Sequence, residues 1–312
     1  MKPFSVFHAL RPSDVLIIGF GFLLSVFNLI FSGIIHDWPI LILINVGVSI
    51  SIIALAHLRQ RSTNGFIRFV HDWYPVPMIF FSFKEMYVII QSFDGRDFDS
   101  TLIAIDRWIF KTDPTVWIAQ FSSPLLTEIL QIAYASFYFL MLAVGYELYV
   151  RKNEKNFSFA MFTFLYGFYL SYIGYVAIPA VGPRFTLHNF DALNSELPGL
   201  YLTNTIRDFL NAGESIPKNV ANQIAFAQRD VFPSGHTQMT LIAMYFASKF
   251  RLKSRSLIYL FGTLLIISTV YLRYHYVVDL LGGAVFMWFT IWSAPKLFAW
   301  WTTDSTNLTD AN

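Results

Sequence analysis

The sequence predicts an all-α integral membrane protein, built as a polytopic helical bundle of about eight spans. Of its 312 residues, 55% are hydrophobic and only 13% are charged, about half of the roughly 25% charged residues usual in a soluble domain. The mean hydropathy is +0.50. Several apolar runs are long enough to cross a hydrocarbon core of about 30 Å, which takes roughly 20 helical residues. A soluble core has no need for so many of them.

Apolar runs that end at charged residues, proline or glycine give the order of the spans. They fall at roughly 14–35, 39–57, 73–93, 124–150, 157–178, 234–250, 256–274 and 276–298. We interpret the first as a retained span, because it is too long for a signal peptide and no small-residue cleavage site follows it.

The third span carries Lys84 and Glu85 near its middle. Charges at that depth usually face a bundle interior or an aqueous cavity, so Lys84 is a candidate site residue. The structural alternatives are an ion pair with Glu85, another buried partner, or a span that runs shallow.

Basic residues near the ends of the spans predict the orientation, because Lys and Arg are retained on the cytoplasmic side. The segments 58–71, 151–155 and 249–255 are rich in them, which places both termini inside when the spans number eight. The outer loops are then 36–38, 94–123, 179–233 and the turn near His275. An active site built from these loops faces the extracytoplasmic side, periplasmic or lumenal.

The loop 179–233 is too long for a simple connector, since loops beyond about 15 residues are usually functional or disordered. Capping residues and a terminal glycine predict a short amphipathic helix over Thr203–Gly213, and a second is predicted over 219–228. We expect this long loop to form a partly helical lid over the membrane surface.

No internal repeat is evident, so a single membrane domain, residues 1–312, is the simplest division. It comprises the N-terminal spans with an outer loop (14–123), a helical core that carries the candidate site (124–298) and a polar tail (299–312). The chain contains no cysteine, so it offers neither disulfides nor thiolate ligands for a metal. The net charge of +2 gives no reason to expect a nucleic-acid partner, and the oligomeric state does not follow from the sequence.

Polar residues that an apolar bundle would otherwise avoid concentrate in three segments predicted on the outer side: 181–185, 232–237 and 268–283. In the second, Pro-Ser-Gly-His at 233–236 immediately precedes an apolar helix. A helix start presents unpaired backbone N–H groups at the positive end of the helix dipole, and glycine allows close approach to the backbone. This turn therefore predicts an anion site at Ser234 and Gly235, with His236 beside the anion.

The third segment adds Arg273, His275 and Asp279. His275 and Asp279 are four residues apart, so one helix would place both on one face. A carboxylate at that position holds one imidazole nitrogen protonated and leaves the other free to attack or to accept a proton. Arg273 and Arg184, from the first segment, offer fork-shaped donors suited to phosphate oxygens. Two histidines, two arginines and a helix start together predict phosphoryl chemistry.

These residues resemble the type 2 phosphatidic acid phosphatase superfamily. Its pattern is a basic segment ending in Arg-Pro, then Pro-Ser-Gly-His, then Ser-Arg, five residues, His, three residues and Asp. Here 233–236 matches fully, and His275 with Asp279 keeps the final spacing. The resemblance covers roughly residues 175–285, and the segment 105–114, IDRWIFKTDP, is also similar to the branch near the inositol phosphorylceramide synthases.

Three features depart from the family pattern. Ala177 stands where the family has a phosphate-binding lysine, and Pro183-Arg184 reverses the family's Arg-Pro order. Thr269 replaces the second arginine of the pattern. Arg273 lies four residues later, which on a helix is one turn along the same face, so we expect its guanidinium to reach the same anion.

The resemblance implies a reaction on a phospholipid or another lipid phosphate, with no metal and no cofactor. His275 attacks phosphorus to form a phosphohistidine, and Asp279 fixes its tautomer. His236 protonates the leaving oxygen and later deprotonates the acceptor. The phosphate oxygens are bound by Arg184, Arg273 and the backbone at Ser234 and Gly235.

Two questions stay open: which molecule accepts the phosphoryl group, and whether the protein is instead a transporter or channel. Transfer to water makes the protein a lipid phosphate phosphatase, whereas transfer to a lipid or sugar hydroxyl makes it a phosphotransferase of the inositol phosphorylceramide synthase type. A membrane transporter or channel is compatible with eight spans and the Lys84-Glu85 pair, but it does not account for the His-Asp spacing. The remaining histidines are assigned no role: His8, His36, His57, His71 and His188.

Overall fold

The computed structural model describes residues 9–93, 97–217, 220 and 222–307, with side chains up to residue 302. Within these ranges the chain forms helices joined by turns and no strands, which confirms the all-α prediction. In chain order the helices are α1 (Pro12–Ile30), α2 (Trp38–Arg61), α3 (Gly65–Trp73), α4 (Pro75–Ser92), α5 (Asp99–Phe110), α6 (Pro114–Ala119), α7 (Pro124–Ala135), α8 (Phe137–Val150), α9 (Glu154–Ala177), α10 (Pro183–Thr186), α11 (Leu193–Glu196), α12 (Thr203–Gly213), α13 (Gly235–Lys249), α14 (Arg255–Tyr271) and α15 (Val277–Asn307).

Four of the described helices are long and apolar enough to cross a bilayer, judged by length and composition: α1, α2, α9 and α15. The bent pair α7 and α8 passes the same test as one crossing, which brings the number to five. In contrast, α13 has 15 residues and spans about 22 Å, less than a core of about 30 Å. The described helices are therefore consistent with a membrane protein, and the count of eight spans stays a prediction.

The span predicted over 124–150 is broken. α7 and α8 meet at Ser136 with a bend of 46°. The Ser136 hydroxyl donates to the Ala133 carbonyl oxygen at 2.7 Å, and a side-chain bond of this kind competes with the helical ladder and favours a bend.

The two longest of the predicted outer loops, 94–123 and 179–233, contain helices in their described parts. α5 and α6 lie within 94–123, and α10, α11 and α12 lie within the long loop 179–233. α12 has the bounds predicted from the sequence, Thr203–Gly213. The second helix predicted in the long loop, over 219–228, is one turn of 3₁₀ helix at Gln223–Phe226, and residues 218, 219 and 221 lie outside the described residues.

The chain divides into two compact units. The first comprises Met1–Asp94, Lys152–Tyr169 and Phe289–Asn312, and the second comprises Gly95–Arg151 and Leu170–Trp288. Lys84 belongs to the first unit, whereas the other candidate site residues all belong to the second. The division into a single membrane domain stays a prediction.

The first unit buries polar side chains in hydrogen bonds between its helices. Glu85 of α4 accepts hydrogen bonds from the side-chain amides of Asn28 and Asn45, at 3.0 and 2.9 Å. Such bonds offset the cost of burying a polar group in apolar surroundings. An ion pair with Lys84 is therefore not needed to satisfy this carboxylate, and the Lys84 ammonium lies 6.0 Å from the centroid of the Tyr87 ring.

In the second unit, α13 packs against α14 and α8, and α14 also packs against α7. A buried cluster joins α7, the end of α14 and the long loop: Leu130, Tyr134, Leu193, Leu197, Tyr271, Leu272 and Tyr274. The Tyr271 hydroxyl also forms a hydrogen bond with Thr127 of α7 at 2.8 Å. This packing holds the start of α13 and the end of α14 beside the long loop, where the candidate residues lie.

Candidate active site

The first part of the site is the start of α13. Ser234 is the N-cap, since its side chain accepts the Thr237 N–H at 3.2 Å, and its own N–H donates to the Asp279 carbonyl at 2.9 Å. A Cβ on Gly235 would collide with the Tyr175 hydroxyl, so the backbone must approach α9 this closely. The structure confirms the predicted helix start and ties it to the first turn of α15.

His275 lies in the turn between α14 and α15. Its Nδ1 is 3.0 Å from the Val231 carbonyl oxygen and 3.5 Å from Asp279 Oδ2. Both neighbours are acceptors, so Nδ1 carries the proton and Nε2 presents its lone pair. This is the tautomer that a nucleophilic Nε2 requires.

His275 and Asp279 are paired, but not on one helix face as predicted. α15 begins at Val277, so His275 precedes the helix and Asp279 is its third residue. The Asp279 carboxylate accepts the Tyr276 N–H at 2.7 Å, as the third residue of a helix does in a capping box. The same carboxylate then reaches back to the His275 ring, so the contact depends on the turn.

The free nitrogen of His275 faces the second histidine. Nε2 lies 3.4 Å from His236 Nδ1, and the two ring centroids are 5.6 Å apart. His236 stacks on Tyr134 and packs against Phe137, with centroid separations of 4.7 and 4.3 Å. Burial and the neighbouring His236 ring lower the pKa of His275 well below its ordinary value of 6.5. His275 is therefore neutral at pH 7, as a nucleophile must be.

Arg184 reaches the site from α10, whose start is fixed by backbone contacts. The Gly182 N–H donates to Asp99 Oδ1 at 2.8 Å, and the Arg184 N–H donates to the Arg273 carbonyl at 3.0 Å. Gly182 has a φ of +92°, a conformation that favours glycine, and Pro183 follows as the first helical residue. The Gly-Pro-Arg order thus forms a turn that places Arg184 beside the turn containing Arg273.

The Arg184 guanidinium is buried and only partly satisfied. Nη2 donates to Glu214, and the guanidinium carbon lies 4.7 Å from the centroid of the Tyr274 ring. Nε and Nη1 are buried without a hydrogen-bond partner in the described residues. Burial by itself would lower the pKa of Arg184, but Glu214 more than offsets this, so the pKa is raised and the charge is retained. Buried donors of this kind suit an anionic ligand.

Arg273 lies beyond the end of α14, not on its face. The helix ends at Tyr271, and Arg273 has a φ of +68°. The prediction that Arg273 lies one helical turn beyond Thr269 was wrong, because the chain has left the helix there. The Arg273 guanidinium is nevertheless buried, donates through Nη1 to Glu196, and leaves Nε without a partner among the described residues.

His188 lies in the long loop, near Arg273, and was assigned no role from the sequence. Its Nε2 is 3.0 Å from the Thr115 hydroxyl. Burial and the charge of Arg273 lower the pKa of His188 to about 4, so the ring is neutral at pH 7. We assign it no part in the chemistry.

Two carboxylates of α5 organise the site and were not among the sequence candidates. Asp99 accepts the Gly182 N–H at 2.8 Å and the Tyr276 hydroxyl at 2.7 Å, so it joins α10 to the turn that carries His275. Asp106 accepts the first two N–H groups of α15, at 2.9 and 2.8 Å. A carboxylate at a helix start satisfies unpaired N–H groups and complements the dipole. Asp106 lies in the segment 105–114, but no local signal indicated this contact.

The second unit therefore brings seven of the eight candidates into neighbouring turns and helix ends: Arg184, Ser234, Gly235, His236, Arg273, His275 and Asp279. The eighth, Lys84, lies in the first unit. Over the part of the chain that the structure describes, no group of three or more His, Asp or Glu side chains is arranged to hold a metal ion.

The fold and the site define a helical membrane protein that gathers two histidines and two buried arginines around a helix start. The chain belongs to the PAP2 superfamily, whose family model matches residues 100–293. Members of this superfamily are generally phosphatases or phosphotransferases. The match confirms the family resemblance and extends it to α5, while the branch near the inositol phosphorylceramide synthases stays a prediction. No curated protein and no solved structure matches the sequence significantly.

Proposed function

We propose that the protein removes or transfers the phosphoryl group of a phosphorylated lipid through a phosphohistidine on His275. The observation that supports this most directly is the environment of the His275 ring. Nδ1 faces the Val231 carbonyl and Asp279, while Nε2 faces His236 at 3.4 Å. A nucleophile with an orienting carboxylate on one side and an acid–base partner on the other is the arrangement of covalent catalysis.

The reaction has two displacements at phosphorus. In the first, His275 Nε2 attacks, the bond to the leaving oxygen breaks, and His236 gives that oxygen a proton. In the second, His236 takes a proton from the acceptor hydroxyl, the acceptor oxygen attacks phosphorus, and the P–N bond breaks. Asp279 stabilises the positive charge on the His275 ring during both steps. The negative charge of the bound phosphate favours the protonated form of His236 that the first step requires.

The two rings must separate when substrate binds. A phosphorus atom attacked by Nε2 has to lie between the two histidines, and 3.4 Å between their nitrogens leaves no room for it. His275 is held by hydrogen bonds, whereas His236 packs on Tyr134 and Phe137. We therefore expect His236 to turn, since catalytic contacts often take their final geometry only in the complex.

The acceptor decides between a phosphatase and a phosphotransferase of the inositol phosphorylceramide synthase type. Purified protein is tested against a panel of phosphomonoester and phosphodiester lipids, with head groups labelled and a second lipid present. Release of inorganic phosphate indicates water as the acceptor, and label on the second lipid indicates a hydroxyl. Trapped phosphoenzyme should be labile in acid and stable in alkali, as a phosphohistidine is. A protein that cleaves none of these lipids and forms no phosphoenzyme would contradict the proposal.

Arg184 and Arg273 bind the phosphate oxygens in this proposal. The backbone at Ser234 and Gly235, predicted from the sequence as a further phosphate contact, is left out of it, because the Ser234 N–H donates to the Asp279 carbonyl at 2.9 Å and the Gly235 N–H donates to the Tyr175 hydroxyl. Arg184→Ala should lower kcat/KM about 100-fold and Arg273→Ala about tenfold, because Arg184 has two open donors and Arg273 has one. A charge-assisted bond contributes about 1.5–3 kcal/mol, which corresponds to about ten- to a hundredfold. The measurement is kcat/KM for the best lipid of the panel.

Arg229→Ala is the matched control, because Arg229 also lies in the long loop but pairs with Asp97. It should change kcat/KM by less than about twofold, because its guanidinium is already paired with Asp97 through two nitrogens. A silent Arg184→Ala or Arg273→Ala together with a severe Lys84→Ala would place the phosphate site elsewhere.

The proposal also includes the orientation: α4, α13 and α14 cross the membrane, and the long loop is a lid on the extracytoplasmic side. The chain has no cysteine, so a single introduced cysteine is the only thiol of the protein that a reagent can modify. Ser195→Cys, exposed in the long loop, should react with an impermeant thiol reagent in intact cells. Lys155→Cys, exposed at the start of α9, should react only after the membrane is opened. The reverse labelling would put the active site in the cytoplasm and refute the orientation.

A further inference from the structure

Both candidate arginines are already paired with carboxylates of the long loop. Arg184 Nη2 donates to Glu214, just after α12, and Arg273 Nη1 donates to Glu196, the last residue of α11. We call Glu196 and Glu214 the loop carboxylates. The arginines are 5% and 3% exposed. The side chain of Glu214 is 19% exposed and that of Glu196 is 43% exposed, so solvent screens the Arg184–Glu214 pair less than the Arg273–Glu196 pair. Two positive charges are therefore balanced by two negative ones within the protein itself.

The loop carboxylates are held in place by the anchors of the long loop. Glu128 of α7 accepts the Leu202 N–H and the Thr203 hydroxyl, both at 2.6 Å, at the start of α12. Arg207 of α12 is buried and donates to the Leu197 carbonyl at 2.8 Å, which ties α12 to the residue after α11. The loop carboxylates flank this anchored segment, and each contacts one arginine of the candidate site.

Each guanidinium also keeps buried N–H groups for a ligand: Nε and Nη1 of Arg184, and Nε of Arg273. An anion bound there lies close to the carboxylate that shares the same guanidinium. The repulsion between them is proportional to the charge of the anion. A dianion meets about twice the repulsion from the carboxylates and about twice the attraction from the guanidiniums, so the carboxylates cancel the extra attraction that two unpaired arginines would give it. A dianion also costs more to remove from water, so a site with balanced charges favours a monoanion.

We propose that Glu196 and Glu214 set the charge that the site accepts, and that they select a phosphoryl group with one negative charge over one with two. The favoured class is a phosphodiester, which keeps a single ionised oxygen. A phosphomonoester loses its second proton near pH 6 and is mostly a dianion above pH 7. This inference rests on the proposed binding of phosphate by Arg184 and Arg273.

The test compares two small anions by calorimetry with the purified full-length protein at pH 8: dimethyl phosphate, a monoanion, and inorganic phosphate, mostly a dianion. Glu214→Gln and Glu196→Gln each remove one charge and leave an oxygen that still accepts from the arginine. We expect each variant to bind dimethyl phosphate about threefold more tightly and inorganic phosphate about tenfold more tightly than the wild type. The reason is that the gain in binding free energy scales with the charge of the ligand. Asp191→Asn removes a charge at an exposed position of the same loop and should change neither affinity.

Turnover gives a second readout. The preference for diester over monoester lipids, measured as a ratio of kcat/KM values, should fall about threefold in each Gln variant. The charge selection is overturned if the Gln variants gain affinity equally for both anions, or gain none, while Arg184 still contributes to phosphate binding. The proposed reaction would then still stand. Phosphate binding that is absent, or unchanged by Arg184→Ala, instead refutes the phosphate site of the proposed function and this inference with it.

Discussion

His275→Ala should abolish turnover, a loss of at least about 10⁴-fold in kcat, and should form no phosphoenzyme. In the proposed mechanism Nε2 of this ring is the nucleophile, so its removal takes away the covalent step. The measurements are product release and the amount of label retained on the protein after a rapid quench with labelled substrate. His36→Ala, at an exposed histidine, should match the wild type in both.

His236→Ala separates the two histidine roles. A p-nitrophenyl phosphate ester has a leaving oxygen that needs no proton, so this variant should still form the phosphoenzyme from it. Breakdown of the phosphoenzyme needs His236 as the base, so the phosphoenzyme should accumulate.

Two results for His275→Ala would show that the nucleophile has been assigned wrongly. One is turnover within tenfold of the wild type, and the other is label that is retained on the His275→Ala protein.

The sequence predicted those parts of the fold that depend on local pattern. α2 and α9 appear where long apolar runs predicted spans, and α12 begins and ends at the residues that capping chemistry indicated. The span over 124–150 was predicted without its break, because an apolar run gives no information about a bend within it. Whether α13 crosses a membrane does not follow from its 15 residues alone.

The site was predictable where its residues are neighbours in the sequence. The helix predicted to begin at Pro-Ser-Gly-His does begin there, with Ser234 as its N-cap, and Asp279 contacts the histidine four residues before it. The prediction for Arg273 failed because helical periodicity was extended past the end of α14. Spacing gives no information about where a helix stops.

The carboxylates that complete the site were missed for a different reason. Asp99 meets the Tyr276 hydroxyl across 177 positions of sequence, and Glu196 meets Arg273 across 77. No periodicity or motif links residues so far apart. Contacts of this kind follow from tertiary packing, which a single sequence does not reveal.

Asp279→Asn should leave the fold intact and lower kcat by about 10²- to 10³-fold. The amide side chain of this variant still offers an oxygen to the Tyr276 N–H, and the Val231 carbonyl still accepts from His275 Nδ1. The tautomer of His275 is therefore kept, and what is lost is the negative charge opposite the ring when it becomes phosphorylated and positive. Removing one partner of a buried charge pair costs about 3–4 kcal/mol, which gives the expected factor.

Asp106→Asn is the matched control for this change, because Asp106 is also buried, at 2% exposure, and its carboxylate caps the same helix. Its loss should lower the Tm of the purified protein, while kcat per folded molecule stays within about threefold of the wild type. A similar fall in kcat for both variants would mean that Asp279 acts by holding the start of α15 in place. A fall of less than threefold for Asp279→Asn would mean that the Val231 carbonyl suffices to orient His275. A large loss confined to Asp279→Asn, with Tm unchanged, is the outcome that a charge opposite the phosphohistidine requires.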